Sequence, residues 1–185
     1  MSIPQKSVRQ ASIIAPLYIE ALRNGQSLWF RVVSNSMVPT LRVDDSVYIE
    51  STKANEIRVG EIAAFETPKG LVIHRIVRIQ QSETSVRLLQ MADVDLQPSW
   101  IEEQAVVGRV ILARRQVRQI NLQHSIAQKC GKITARLRYK LYLWKIFTPL
   151  GILSRLCSRL VVLASYFCIQ SCCSTIVNSD ETSSI

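Results

Sequence analysis

The chain has 185 residues, 48% of them hydrophobic, which suffices for one ordinary domain with a packed core plus an appendage. Its net charge of +9 is unevenly placed: residues 1–103 carry 11 Lys and Arg against 12 Asp and Glu, whereas residues 104–179 carry 12 Lys and Arg and no acid. That split excludes a uniformly basic nucleic-acid-binding fold, and the five cysteines, an odd number all C-terminal to residue 129 and without a C-x-x-C pair, argue against a disulfide framework or a zinc site.

In chain order, residues 8–24 read as an amphipathic helix, with Leu17, Ala21 and Leu22 at helical spacing, Pro16 in the first turn and Gly25 as the stop. No signal peptide is read at the N-terminus, because Pro16 and Glu20 interrupt the short apolar run. From Ser27 the period changes to two. Strands are expected over 28–34, 46–51, 61–66, 71–80, 85–91 and 105–112, separated by turn signals such as Asp44-Asp45, Gly60, Pro68-Lys69-Gly70 and Pro98-Ser99. The fold class is therefore mainly β: a compact antiparallel domain with an N-terminal helix and a C-terminal helical extension.

After Arg114 the pattern changes again. Residues 116–130 are polar and helix-compatible, and 132–147 mix Lys132, Arg136, Arg138, Lys140 and Lys145 with Ile133, Leu137, Tyr142, Trp144 and Phe147. A basic amphipathic helix with aromatic anchors suits an anionic membrane surface. Residues 160–177 form an uncharged run at the lower limit for a membrane span, and both a span and an interfacial helix fit it. Positive charge collects only on its N-terminal side, so a span would leave the β domain in the cytoplasm. The expected organisation is 1–26 helix, 27–115 β domain, 116–159 basic helical segment, 160–177 apolar segment and 178–185 tail. The expected partner surface is an anionic membrane along residues 132–177; nucleic acid and cofactors are not expected.

Chemistry concentrates in three places. Ser34-Asn35-Ser36-Met37-Val38-Pro39-Thr40-Leu41 follows a strand and sets two hydroxyls in a Pro-stiffened loop. The strand Leu71–Ile79 carries His74 on one face with Val72 and Ile76, opposite Ile73, Arg75 and Val77. A serine hydroxyl needs a base within reach to act as a nucleophile, and an imidazole has a suitable pKa. Asp93 and Asp95, one residue apart past a strand end, are both candidates to orient that imidazole, and alternation puts them on the same face. Of the other bases, Lys69 lies in a turn, Lys53 has no supporting motif, Arg75 does not deprotonate and His124 sits in a polar segment.

The serine string resembles the catalytic serine box of type I signal peptidases and the related self-cleaving SOS repressors. Gly60-Glu61-Ile62-Ala63-Ala64-Phe65 is similar to the strand that follows that box, and Val72-Ile73-His74-Arg75-Ile76-Val77 to the second catalytic box. A histidine there is the mark of the endoplasmic-reticulum, archaeal and sporulation-type branch; bacterial-type enzymes and SOS repressors place lysine. Met91-Ala92-Asp93 through Val106-Val107-Gly108 resembles the last block of the histidine branch. The resemblance implies a signal-peptidase-like β domain. It makes Ser36 the nucleophile and His74 the base, with Ser34 and the Ser36 backbone N–H holding the oxyanion. Asp93 or Asp95 would orient His74, and Met37 and Pro39 would shape the floor under the substrate. The implied substrate is a peptide or preprotein, bound as an extended strand and cut after small residues.

Two departures from the family pattern bear on structure. Asp44-Asp45 stands where the pattern has Gly-Asp, and the turn is expected to hold because Asp tolerates positive φ. Ala92-Asp93 stands where the pattern has Gly-Asp. The hydrophobic segment is C-terminal, whereas exported signal peptidases carry an N-terminal anchor; a cytosolic-side peptidase acting on leader segments is therefore compatible with the chain. The alternatives are a self-cleaving regulator related to SOS repressors and a non-catalytic membrane-associated module.

Overall fold

The computed structural model describes residues 5–147. Helix α1 (Gln5–Arg23) opens the chain, and strands β1 (Leu28–Arg31), β2 (Ser46–Glu50), β3 (Ile62–Thr67), β4 (Gly70–Gln81), β5 (Val86–Met91), β6 (Ser99–Glu102), β7 (Val106–Arg115) and β8 (Arg118–Asn121) follow. Helix α2 (Ser125–Phe147) closes it. All strand pairs are antiparallel, in the order β1-β2-β7-β3-β4-β5-β6, with β8 hairpinned onto β7. The fold is a curled, mainly β sheet flanked by an N-terminal and a C-terminal helix.

The sheet is apolar on both faces. One cluster joins Ile19 and Leu22 of α1 to Met37, Leu41, Val47, Ile49, Ile62, Ala64, Ile73 and Val110. A second gathers Ala63, Ile76, Leu88 and Val106, and a third packs Val77, Leu89 and Met91 against Ala135 of α2. His74 pairs in register with Ala63 and shares its face with Ile76, as alternation requires. The opposite face is not solvated: Ile73, Arg75 and Val77 are buried, because α1 and α2 both contact β4. A register shift between Ile76 and Arg78 skips Val77, so that Ile76 packs in the second cluster while Val77 packs in the third, beneath α2.

Helix α1 starts three residues before the expected position 8 and ends at Arg23, one residue short of the expected end, and Pro16 lies inside it rather than in its first turn. Its C-terminus is closed by Gly25 N–H to Leu22 O at 3.0 Å and Gln26 N–H to Ala21 O at 3.0 Å, with Gly25 at φ 81. Two strands go beyond the six expected. β6 begins at Ser99, which reads as a break in the sequence, and β8 lies within 116–130, which reads as helical. Both are short and mostly exposed, so neither carries a hydrophobic alternation. Helix α2 accordingly begins at Ser125.

The docking of α2 depends on two glycines. A Cβ on Gly60 would lie 2.5 Å from the Lys132 backbone N, and one on Gly131 would lie 2.7 Å from Gly60 O. The helix faces the sheet with Gly131, Thr134, Ala135 and Arg138. It presents Ile133, Leu137 and Trp144 on its exposed side, among Lys129, Lys132, Arg136 and Lys140. No helix among the described residues is long and apolar enough to cross a membrane, and the apolar run 160–177 lies outside them.

Candidate active site

The loop between β1 and β2 carries the two serines. Its base is the Asp44-Asp45 turn, where Asp44 takes φ 75 and pairs at the surface with Arg31 at 2.9 Å. The Asp45 carboxylate is buried; it accepts from the Arg42 N–H at 2.8 Å and from Arg115 at 2.8 and 2.6 Å. Turn and loop are thus fixed by a local bond and by a strand seventy residues away.

Inside the loop, the Ser34 and Ser36 hydroxyls lie 3.2 Å apart. Ser34 is exposed and Ser36 half-buried. Met37 and Pro39 are buried below them, and Met37 shares the core cluster of Leu41 and Ile73. Two bonds tie the loop to the rest of the site. The Val94 N–H donates to Ser36 O at 3.1 Å, and the Thr40 hydroxyl donates to Asp93 Oδ2 at 2.6 Å.

Asp93 is buried and belongs to an ionic cluster. Arg75 donates to it through Nε at 2.9 Å and through its terminal nitrogen at 2.7 Å, and also reaches Thr40 Oγ1 and Gly60 O, each at 2.9 Å. Burial alone would raise the Asp93 pKa, but the charge and hydrogen bonds of Arg75, with Thr40 and Arg138, leave it below the ordinary 3.8. From the other side, Arg138 of α2 donates to the backbone oxygens of Ala92 and Asp95. Helix α2 therefore holds the 92–95 segment, and that segment holds the Ser36 backbone.

His74 is half-buried, with its ring edge-to-face on Phe65 at a centroid distance of 6.0 Å. Its Nδ1 lies 2.5 Å from Gln90 Oε1. Gln90 in turn donates through Nε2 to the Ser99 hydroxyl. Burial lowers the His74 pKa below 6.5, against the raising effects of the Gln90 bond and of the Asp95 and Asp93 charges. The ring is thereby biased to its neutral form at neutral pH, the form a general base requires.

The structure therefore brings together some of the expected residues and separates others. Ser34, Ser36, Met37 and Pro39 share one pinned loop, tied to the His74 strand through Thr40 and Arg75. No hydrogen bond joins Ser36 to His74 among the described residues. Neither acid hydrogen-bonds His74: Asp93 is engaged by Arg75 and Thr40, and exposed Asp95 accepts from the Gln97 N–H at 3.1 Å. Both act on the ring only through their charge. Gln90, Arg75, Thr40 and Arg138 are the site residues that sequence reasoning missed. A neutral amide on a strand carries no pattern, but Arg75 beside a candidate base, on a face of apolar neighbours, implies a buried partner for its charge.

Residues 3–111, more than half of the chain, match the model of the family described as Peptidase S24-like. Comparison with curated proteins finds no significant match. The matched span contains both serines, His74, Gln90 and both acids, and stops within β7, before α2. The expected membership in the serine peptidase superfamily that unites signal peptidases and SOS repressors is borne out at family level. The chain belongs to the Peptidase S24-like family.

Proposed function

We propose that this protein is a serine endopeptidase in which Ser36 attacks the scissile carbonyl and His74 accepts its proton. The observation that carries the reading is the state of His74: a half-buried imidazole biased to the neutral form, with Nδ1 already bonded and Nε2 left to act. The proton taken from Ser36 would pass to the leaving amine, and the acyl-enzyme would then be hydrolysed by water activated at the same nitrogen. The Ser34 hydroxyl and the Ser36 N–H would face the developing oxyanion, each worth about 2.7–4 kcal/mol in the transition state. The missing Ser36–His74 bond is compatible with this, since catalytic hydrogen bonds often tighten only in the Michaelis complex.

The proposed substrate is an extended leader or signal segment with small residues before the cut. It would bind by strand addition, with its small side chains over Met37 and Pro39. The exposed face of α2 would lie on an anionic membrane, with Ile133, Leu137 and Trp144 entering the interface and the surrounding Lys and Arg on the headgroups. The catalytic domain would then work at the cytoplasmic surface. Sedimentation with phosphatidylserine vesicles tests this part: binding lost in high salt and in a Leu137→Glu variant is expected, and equal binding to neutral vesicles would refute it.

Family membership also favours a second reading, self-cleavage in the manner of the SOS repressors. Incubation of the purified chain separates the two. Intact protein that cleaves added peptides supports the endopeptidase, and a Ser36-dependent internal cut supports the regulator. Ser36→Ala and His74→Ala should each abolish cleavage in either case.

A further inference from the structure

Resting on the reading of His74 as the base, we propose that Gln90 is the positioning residue that fixes its tautomer, the task for which sequence reasoning nominated a carboxylate. Gln90 and Ser99 face each other in register across β5 and β6. Gln90 also faces Ile76 on β4, two residues from His74 and on the same side of that strand, which makes Gln90 the diagonal neighbour of the imidazole. Its amide is buried, so both ends need partners. The oxygen takes His74 Nδ1 and the NH2 takes the Ser99 hydroxyl.

With Oε1 toward the ring, Nδ1 is the protonated nitrogen and Nε2 carries the lone pair. That is the arrangement in which Nε2 can accept the serine proton. A neutral amide secures it without a full negative charge beside the ring, so the rise in imidazole pKa that its bond brings is smaller than an abutting carboxylate would impose. The charged groups acting on His74 are Asp95 and Asp93, both in the loop after β5. Asp93 is held in its pair with Arg75, so the short bond to the ring falls to Gln90.

The test is nitrogen-15 NMR of imidazole-labelled protein together with pH–rate profiles. The chain has two histidines, and a His124→Gln variant assigns the signals. Wild-type protein should show His74 protonated at Nδ1 near pH 8. Gln90→Leu should shift it toward the Nε2-protonated form and lower kcat by about 100-fold or more, with KM little changed. Gln90→Glu should keep the tautomer, retain activity and move the acidic limb of the profile to higher pH. A wild-type ring protonated at Nε2 would overturn the proposal without any variant, as would a Gln90→Leu enzyme with unchanged tautomer and profile. The tautomer is read without turnover, so failure of the Ser36–His74 mechanism would appear separately, as activity that survives Ser36→Ala.

Discussion

Arg75, the residue directly after His74, holds the Asp93 carboxylate through two nitrogens at 2.9 and 2.7 Å, with both side chains almost wholly out of solvent. Adjacent residues on one strand thus serve opposite faces of the sheet. Arg75 ties the serine loop and the 92–95 segment into one unit on the α2 side, while His74 faces Gln90 and Phe65 on the other.

Breaking this pair should cost far more than breaking a surface pair. Arg75→Met strands the buried Asp93 charge and is expected to destabilise the protein by about 3–5 kcal/mol. Arg87→Met removes an exposed pair with Glu102 and should cost no more than about 1 kcal/mol. Denaturant unfolding of the two variants beside the wild type checks the contrast.

The same groups set the pH dependence. The folded pKa of Asp93 lies below 3.8, so its contribution to stability is fully present above that value and is lost as pH falls through the lower folded pKa. His74 also has a depressed folded pKa, so the unfolded chain takes up that proton first and stability declines as pH falls below 6.5. In kcat/KM the acidic limb, which reports the base in the free enzyme, should fall below pH 6.5. A limb above that value would show that some other group limits the rate.

At the foot of the serine loop, Asp44 sits at φ 75, where a β-branched residue is strained. Asp44→Val should lose about 1–2 kcal/mol, and Asp44→Gly should change stability by less than about 1 kcal/mol. Thermal melts of both variants compare the effects directly.

Gly60→Ala would drive a methyl to 2.5 Å from the Lys132 backbone at a residue already at φ 98. The expected result is a loss of about 1–3 kcal/mol and faster proteolysis within α2, as the helix lifts from the sheet. Gly25→Ala meets nothing within 4 Å, so it carries the cost of positive φ without the clash and should leave the protease sensitivity of α2 unchanged.

Much of this arrangement is legible in the sequence, because the central strands alternate or run apolar and their breaks carry Gly, Pro or paired Asp. The Asp44 turn could be anticipated from the backbone tolerance of aspartate alone. β6 and β8 could not, since Ser99–Glu102 and Arg118–Asn121 bury little and owe their form to a neighbouring strand. Within the candidate site, Ser36 and His74 stand out in the sequence because a hydroxyl and an imidazole are residue types able to attack and to titrate. The partners of those residues did not. Asp93 reads equally well as a turn carboxylate or as an orienting acid until Arg75 and Thr40 are seen around it, and Gln90 reads as one polar residue in a strand until β6 supplies Ser99.

The most direct test of the account is cleavage of a synthetic peptide mixture, with small residues at varied positions, by the wild-type protein and by Ser36→Ala and His74→Ala variants, read by mass spectrometry. Cuts after small residues are expected from the wild type, with loss of rate by at least about 10⁴-fold in each variant and folding unchanged. Undiminished cleavage by Ser36→Ala would contradict it.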